Sequence, residues 1–443
     1  MKLSKRIWAS VILFGFFGQL AWMVENMYFN KYLYDTISDN PSFISAMVAA
    51  SAIVATLTTL IMGTLSDRVG KRKIFMVVGY IIWGFTTMAF AFITTDNAAK
   101  LFPTLNAVTV AAITVIVMDC VMTFFGSTAN DGAFNAWVTD VTDNTNRARV
   151  EAVLSAMPLI ALLVIFGVLD GMFVTKTDPV TGEIHSNWKL FYIIVGGLVT
   201  FGGIIGSFLI KDSPNLKPNK DNYFKNIIYG FRPSTVKQNK MLYISFVAFT
   251  IVCIAYQVFM PYLIIYIDNY LGIHDYAIPL GIILILSAVI SVVMGNIMDK
   301  VGKHKFMIPM LAVLIIGCIG IFFVRTILPL AIMGTVMMGA NLVVSSAVNA
   351  TIRDYTPEDK AGLFQGIRMF FSVLLPMVIG PYIGAAVIKN SNETYEEYGV
   401  IKQVPTPNIF LAAAIVCVIA VIPMIVLVKN KKKEIKNTGE TDV

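Results

Sequence analysis

The chain is 443 residues long, 57% hydrophobic, 14% charged, with a mean hydropathy of +0.74 and a formal net charge of +7. Charged residues approach a quarter of a soluble globular domain, so a water-soluble globule is excluded. The apolar residues gather into long blocks, each approaching the roughly 20 residues that cross a bilayer as a helix, the form that closes its own hydrogen bonds in lipid.

Twelve helices are expected, so the fold class is all-α with twelve transmembrane helices. In chain order they lie near residues 7 to 33, 43 to 65, 74 to 94, 107 to 139, 152 to 174, 189 to 210, 241 to 267, 278 to 298, 306 to 324, 329 to 351, 362 to 388 and 408 to 428. The first reads "GQLAWMVENMYFNKYLYD". At 100° per residue Gln19, Trp22, Asn26 and Asn30 fall within about 80° of one another, with Glu25 flanking them, which reads as the lining of a cavity. The fourth block is too long for a straight span. It carries Ser127, Asp131 and Asn135 on one face, with Asp131 two to three turns inside the end marked by Asp140. The seventh helix contributes Tyr256, Gln257, Tyr262 and Tyr266, the tenth Asn341, Ser345 and Asn349, and the eleventh Gln365, Arg368 and Ser372.

Lys and Arg fix the expected orientation, because cytoplasmic segments collect them. With a cytoplasmic N-terminus the inside segments hold 26 of the 34; seven (Lys31, Lys100, Lys176, Lys189, Arg325, Lys389 and Lys402) fall on outer ends and loops, and Arg368 stays in a helix. Both termini then face the cytoplasm of a multi-pass cell-membrane protein, expected as a monomer. The basic surplus matches anionic membrane lipids, and no nucleic-acid motif accompanies it. No cleavable signal peptide is apparent after "MKLSKR". Cys120, Cys253, Cys318 and Cys417 lack metal-type spacing and read as small apolar fillers. His185, His274 and His304 are all placed in loops.

The stretch from Lys211 to Lys240 divides the spans six and six, giving an N-terminal bundle over 1–210, a linker over 211–240 with one amphipathic piece around "YFKNIIYGF", a C-terminal bundle over 241–428 and a basic tail over 429–443. The halves echo each other. "MGTLSDRVGKRK" (Met62 to Lys73) returns as "MGNIMDKVGKHK" (Met294 to Lys305), each joining the second and third helices of its half. A second echo pairs "TDVTDNTNRAR" after the fourth helix with "RDYTPEDKAG" after the tenth. Such a pattern describes parallel repeats about an axis along the membrane normal.

With these loops in place the chain resembles the major facilitator superfamily, whose transporters carry G-x-x-x-D-[RK]-x-G-[RK]-[RK] between helices two and three. Gly63, Asp67, Arg68, Gly70, Lys71 and Arg72 match it, as do Gly295, Asp299, Lys300, Gly302 and Lys303. The resemblance implies transport by rocking 1–210 against 241–428. The loop chemistry predicts that Arg68 or Arg72 pairs with Asp140, and Lys300 or Lys303 with Asp354, latching the cytoplasmic side.

Asp131, Glu25 and Arg368 are the intramembrane charges that most need a purpose. An Arg keeps its charge and needs a partner, whereas Asp131 and Glu25 can carry a proton. "DGAFNAWVTDVTDNTNRAR" is similar to the helix-four signature of the glycoside-pentoside-hexuronide cation symporters, exemplified by melibiose permease, which implies a site carboxylate at Asp131. That family's sodium-binding members carry two Asp residues in helix two, where this chain has Ala55 and Thr59. Coupling to a proton gradient is therefore expected ahead of sodium, with no bound metal or cofactor. A small polar solute, a sugar or glycoside, suits Gln19, Trp22, Asn26, Asn30, Asp131, Asn135, Tyr256, Gln257, Asn341 and Arg368, since such a site needs amides, charges and flat rings. A lysolipid, amphiphile or drug transporter on the same fold is the alternative. No nucleophile, metal or phosphate-loop constellation supports an enzyme.

Overall fold

The structure is a computed structural model that describes residues 3–142, 146–174, 176–177, 184–212, 230–357, 361–391, 393–397 and 400–438. Among the described residues twelve helices are long and apolar enough to cross a membrane. The chain separates into two compact units, Met1–Asp221 and Asn222–Val443. Most of the stretch between the sixth and seventh spans, including the amphipathic "YFKNIIYGF" expectation, lies outside the described residues.

The first unit holds spans 1 (Lys5–Thr36), 2 (Pro41–Val69), 3 (Arg72–Phe92), 4 (Ala107–Val141), 5 (Val153–Val174) and 6 (Trp188–Leu209). Their starts are written in polar caps. Asn40, Asn106 and Asn187 accept from the backbone N–H groups of Ser42, Thr109 and Leu190 at 3.1, 2.9 and 3.0 Å, satisfying donors that a helix start leaves open. Span 2 stops at Gly70, whose φ of 65° is a left-handed cap closing on the Ser66 carbonyl.

Side chains without bulk let spans 3 and 6 lie against each other. A Cβ at Gly84 would sit 2.6 Å from the backbone nitrogen of Thr200, so helix axes can approach as they do in membrane interfaces built on small residues. At one end of this unit Tyr28, Tyr32, Phe90, Trp188, Phe191 and Tyr192 form a ring cluster, with Tyr28 stacked on Phe191 at 5.1 Å and Tyr32 edge-on to Tyr192 at 5.1 Å. Lys31, expected at an outer end, lies near the end of span 1, where it is buried and pairs with Asp35 at 3.0 Å. The four-residue spacing puts the two charges on one face, where each neutralises the other.

The second unit holds spans 7 (Lys240–Tyr270), 8 (Ala277–Met298), 9 (His304–Phe322), 10 (Ile327–Tyr355), 11 (Gly366–Ser391) and 12 (Asn408–Glu434). Only 22% of the apolar window of span 8 is buried, and Val289, Val292 and Val293 are exposed. Such a face is a hazard in water but ordinary against lipid tails. Two corrections concern its ends. His304 is not in a loop: it opens span 9 and is buried. The tail expected from residue 429 continues the last helix to Thr438, where Asn430 Nδ2 donates to Glu434 Oε1 at 2.6 Å and Lys431 pairs with the same carboxylate at 3.4 Å. These are four- and three-residue contacts on one helix face.

Among the described residues five spans contain wide turns of π-helical type: Val24–Phe29 in span 1, Ser127–Phe134 in span 4, Ile165–Val174 in span 5, Tyr266–Tyr270 in span 7 and Phe370–Leu374 in span 11. Such turns are uncommon and concentrate at functional sites. The first and third of these regions carry an acid each, Glu25 and Asp170, and the second carries Asp131.

Candidate functional site

In the first unit the wide turn of span 1 decides what its polar stripe can do. Asn26 Nδ2 donates to the Trp22 carbonyl at 2.7 Å, and Asn30 Nδ2 donates to the Asn26 carbonyl at 2.8 Å. A π-turn redirects backbone carbonyls, and these amides take them up, so both amide NH2 groups already serve their own helix. Asn30 is 1% exposed and its Oδ1 lacks a partner. Asn26, Gln19 and Trp22 stay half-buried, with the Trp22 ring 4.9 Å from Trp83. Of the expected stripe, Gln19, Trp22 and Asn26 keep partial exposure, while Asn30 is buried with its NH2 bonded to its own helix.

Span 3 adds a group that the sequence reading passed over. Tyr80 donates to the Phe14 carbonyl at 2.7 Å and lies 3.2 Å from Asn130 Oδ1. The close approach runs past Gly18, where a Cβ would meet Asn130 Oδ1 at 2.9 Å. Spans 1, 3 and 4 are thus joined by a polar contact in an apolar surround, directly beside Asp131 in sequence.

Glu25 is buried and accepts from Thr123 Oγ1 at 3.0 Å. Its strongest charged neighbours are Asp119 and then Asp131. Asp119, in span 4, is 1% exposed and was not foreseen, although one signal was available. It is a lone acid in "AAITVIVMDCVMTFFG", and it stands four residues before Thr123, eight before Ser127 and twelve before Asp131. Asp170 of span 5, also unforeseen, is buried and accepts from the Tyr28 hydroxyl at 2.8 Å. Asp131 is half-buried, and Asn135 is exposed near the end of the same helix, with its amide 3.4 Å from the Asp131 carbonyl.

In the second unit Arg368 is half-buried, and its Nη2 donates to Asn349 Oδ1 at 3.0 Å. Among the described residues it pairs with no carboxylate, and the charge it senses is the like charge of Arg353. One neutral amide uses one of the five N–H donors of a guanidinium. Tyr256, Gln257 and Asn341 are half-buried. Tyr262 and Tyr266 are buried, the first donating to the Pro381 carbonyl at 3.0 Å and the second packed on Phe410 at 5.1 Å, so these two are core rather than lining. The side chain of Gln365 lies outside the described residues.

The repeated loops are built differently in detail. Gly63 sits against Gly132 of span 4, where a Cβ would find backbone at 3.8 Å. Arg72, 4% exposed, donates from Nε to Asp140 Oδ2 at 3.0 Å and from Nη1 to Ser66 Oγ at 2.6 Å, and also pairs with Asp67. Arg68 is exposed. In the second loop Lys303 pairs with Asp354 and donates to the Ala350 carbonyl at 3.2 Å, while Lys300 is exposed. Position 304, the counterpart of Arg72, holds the buried His304, so the cation one residue earlier takes the carboxylate. Gly302 turns the chain at a φ of 99°, but Gly295 has nothing within 4 Å and provides no close approach. The side chain of Asp299 lies outside the described residues. The second echo holds too: Thr142 and Thr356 each donate to the carbonyl four residues back, at 2.8 and 2.6 Å, beside their Asp.

The sequence profile of the Major Facilitator Superfamily matches residues 10–381 and, in a second match, 246–443. No curated protein sequence matches the chain significantly. Among solved structures, a mutant of the nucleoside transporter NupG superposes with a TM-score of 0.69 at 12% identity, covering 95% of this chain and 99% of its own. The xylose transporter XylE from E. coli, in a partially occluded inward-open conformation, gives 0.66 at 11% identity over 94% and 98%. A bacterial homolog of the human lysosomal transporter Spinster, inward-facing and unoccupied, gives 0.64 at 13% identity over 97% and 96%.

Proposed function

The chain belongs to the major facilitator superfamily, and from that premise we propose that it carries a small polyhydroxylated solute, a sugar or a nucleoside, by alternating access and in symport with protons. The observation that carries the solute class is Arg368. A half-buried guanidinium at the start of span 11, bonded to one neutral amide and with no carboxylate among the described residues, keeps donors for a ligand. Half-buried Gln19, Trp22, Asn26, Tyr256, Gln257 and Asn341 supply the amides and rings that polar ring-shaped solutes require.

Two of the matched structures support this class, one a nucleoside transporter and another a xylose transporter, and both solutes contain a pentose. The helix-four resemblance to glycoside-pentoside-hexuronide symporters points the same way. Proton coupling rests on the buried carboxyls of the first unit and on Ala55 and Thr59, which deny a sodium site the helix-two carboxylates of that family. Both termini are assigned to the cytoplasm of a cell-membrane monomer.

The test is thermal unfolding of the purified protein against mono- and disaccharides, nucleosides and lysolipids. A true ligand raises the midpoint in proportion to RT ln(1 + [L]/Kd). A pentose or nucleoside shift that shrinks in Arg368→Lys supports the proposal. A lysolipid shift with no response to any sugar or nucleoside refutes the solute class.

A further inference from the structure

Asp119, Thr123, Ser127 and Asp131 recur at four-residue intervals along span 4, which places them on one stripe. Glu25 of span 1 meets the upper part of that stripe, because Thr123, one turn from Asp119, donates to Glu25 Oε1. Asp119 lies within electrostatic reach of Glu25, and Ser51 of span 2 within hydrogen-bonding reach of Asp119. Glu25 is 8% exposed and Asp119 1% exposed. Their remaining oxygens, Glu25 Oε2 and Asp119 Oδ1, are sealed from solvent with no hydrogen-bond partner. The hydroxyls of Thr59 and Ser127 are likewise sealed and make no hydrogen bond of normal geometry. The other titratable groups in this field are Cys120 and Asp131 on the same helix, Tyr80 of span 3 and Tyr192 of span 6. Among the described residues no Lys, Arg or His pairs with either acid.

Two adjacent carboxylates without a counter-charge cannot both stay ionised in a dry interior, and each lone oxygen left unbonded adds a desolvation cost. A single proton removes one of the two charges and brings an O–H donor to a region whose sealed oxygens have none. A metal cation would need a fuller oxygen shell, and among the described residues no group of three or more His, Cys, Asp or Glu side chains could hold one. We propose that Glu25 and Asp119 form one proton-binding site that holds a single shared proton, with Asp131 a separate group at the far end of the stripe. The inference deepens the proton coupling of the proposed function, but its test needs no solute.

Infrared difference spectroscopy of the full-length protein at neutral pH, in light and heavy water, reads protonated carboxyl groups directly. The wild-type spectrum minus that of the Glu25→Gln/Asp119→Asn double variant is expected to contain one deuterium-sensitive carboxylic-acid band, worth one group per molecule. Each single substitution should move that band, because the partner of the shared proton has changed, and Asp131→Asn should leave it in place. A band moved by only one of the two single substitutions assigns the proton to that acid alone and overturns the sharing. A wild type with no such band, or one whose band sodium bleaches at constant pH, overturns the proton site without needing any variant to fold. Failure of solute accumulation in vesicles, by contrast, would overturn the transport reading and leave this site standing.

Discussion

Removing the Arg72 side chain should be among the most destabilising single changes outside the packed helix faces. The guanidinium is 4% exposed and reaches three acceptors: Asp140 at 3.0 Å, Ser66 at 2.6 Å, and Asp67. Asp67 is 38% exposed and its pairing is worth about 0–1 kcal/mol after solvent screening. The bond to Asp140, 21% exposed, is charge-assisted and worth about 1.5–3 kcal/mol, and the Ser66 bond adds about 1.5. Arg72→Ala is therefore expected to cost about 3–5 kcal/mol, the range seen when one partner of a buried pair is removed. Arg72→Lys keeps the charge but loses the fork, and should cost about 1–2 kcal/mol. The assay is unfolding in one detergent of Arg72→Ala, Asp140→Asn and the double variant, with exposed Arg68→Ala as the control, which should stay within about 0.5 kcal/mol. A coupling of about 1.5–3 kcal/mol between Arg72 and Asp140 is expected from the cycle. Additive single effects, or an Arg68→Ala as costly as Arg72→Ala, would refute the assignment of this loop's cation.

Gly84→Ala should lower the yield of folded protein and its midpoint, because the added methyl presses on Thr200 and Gly196 backbone, while Gly167→Ala, with nothing within 4 Å, should be neutral; size-exclusion profiles and melting curves decide. Gly70→Ala, at a φ of 65°, should cost about 1–2 kcal/mol in the same melts, and Gly70→Asn less, since Asn tolerates the left-handed region. Asn30→Ala should lower the midpoint by an amount matching about 1 kcal/mol yet leave the dissociation constant of any stabilising solute unchanged, because its amide serves its own helix. A tenfold loss of affinity in Asn30→Ala would return that residue to the binding site.

Resemblance to the superfamily was readable because the repeated loop has few ways to work. A glycine at position 70 must turn left-handed, an acid must sit near the helix end, and cations must follow. Which cation would pair was not readable. Arg68 closes span 2 and Arg72 opens span 3 across the Gly70 turn, and only their placement relative to the end of span 4 chose Arg72; in the second loop the same choice fell on Lys303 because His304 is buried. Glu25 and Asp131 stand among other polar residues and are legible as intramembrane charges, whereas Asp119 is a lone acid in an apolar run whose only signal is its four-residue spacing to Thr123 and Ser127. The wide turns left no sequence pattern at all, and at the first of them Asn26 and Asn30 bond carbonyls of their own helix.

What the sequence determined by itself is the membrane architecture, because in lipid each apolar block must close its own hydrogen bonds and thus becomes a helix, whatever its neighbours do. What only the tertiary structure decided is which polar groups meet. Glu25 comes from one helix, Asp119 and Thr123 from another ninety-odd residues away, and their adjacency depends on the rotation of each helix about its axis, a freedom that hydropathy leaves open and packing closes.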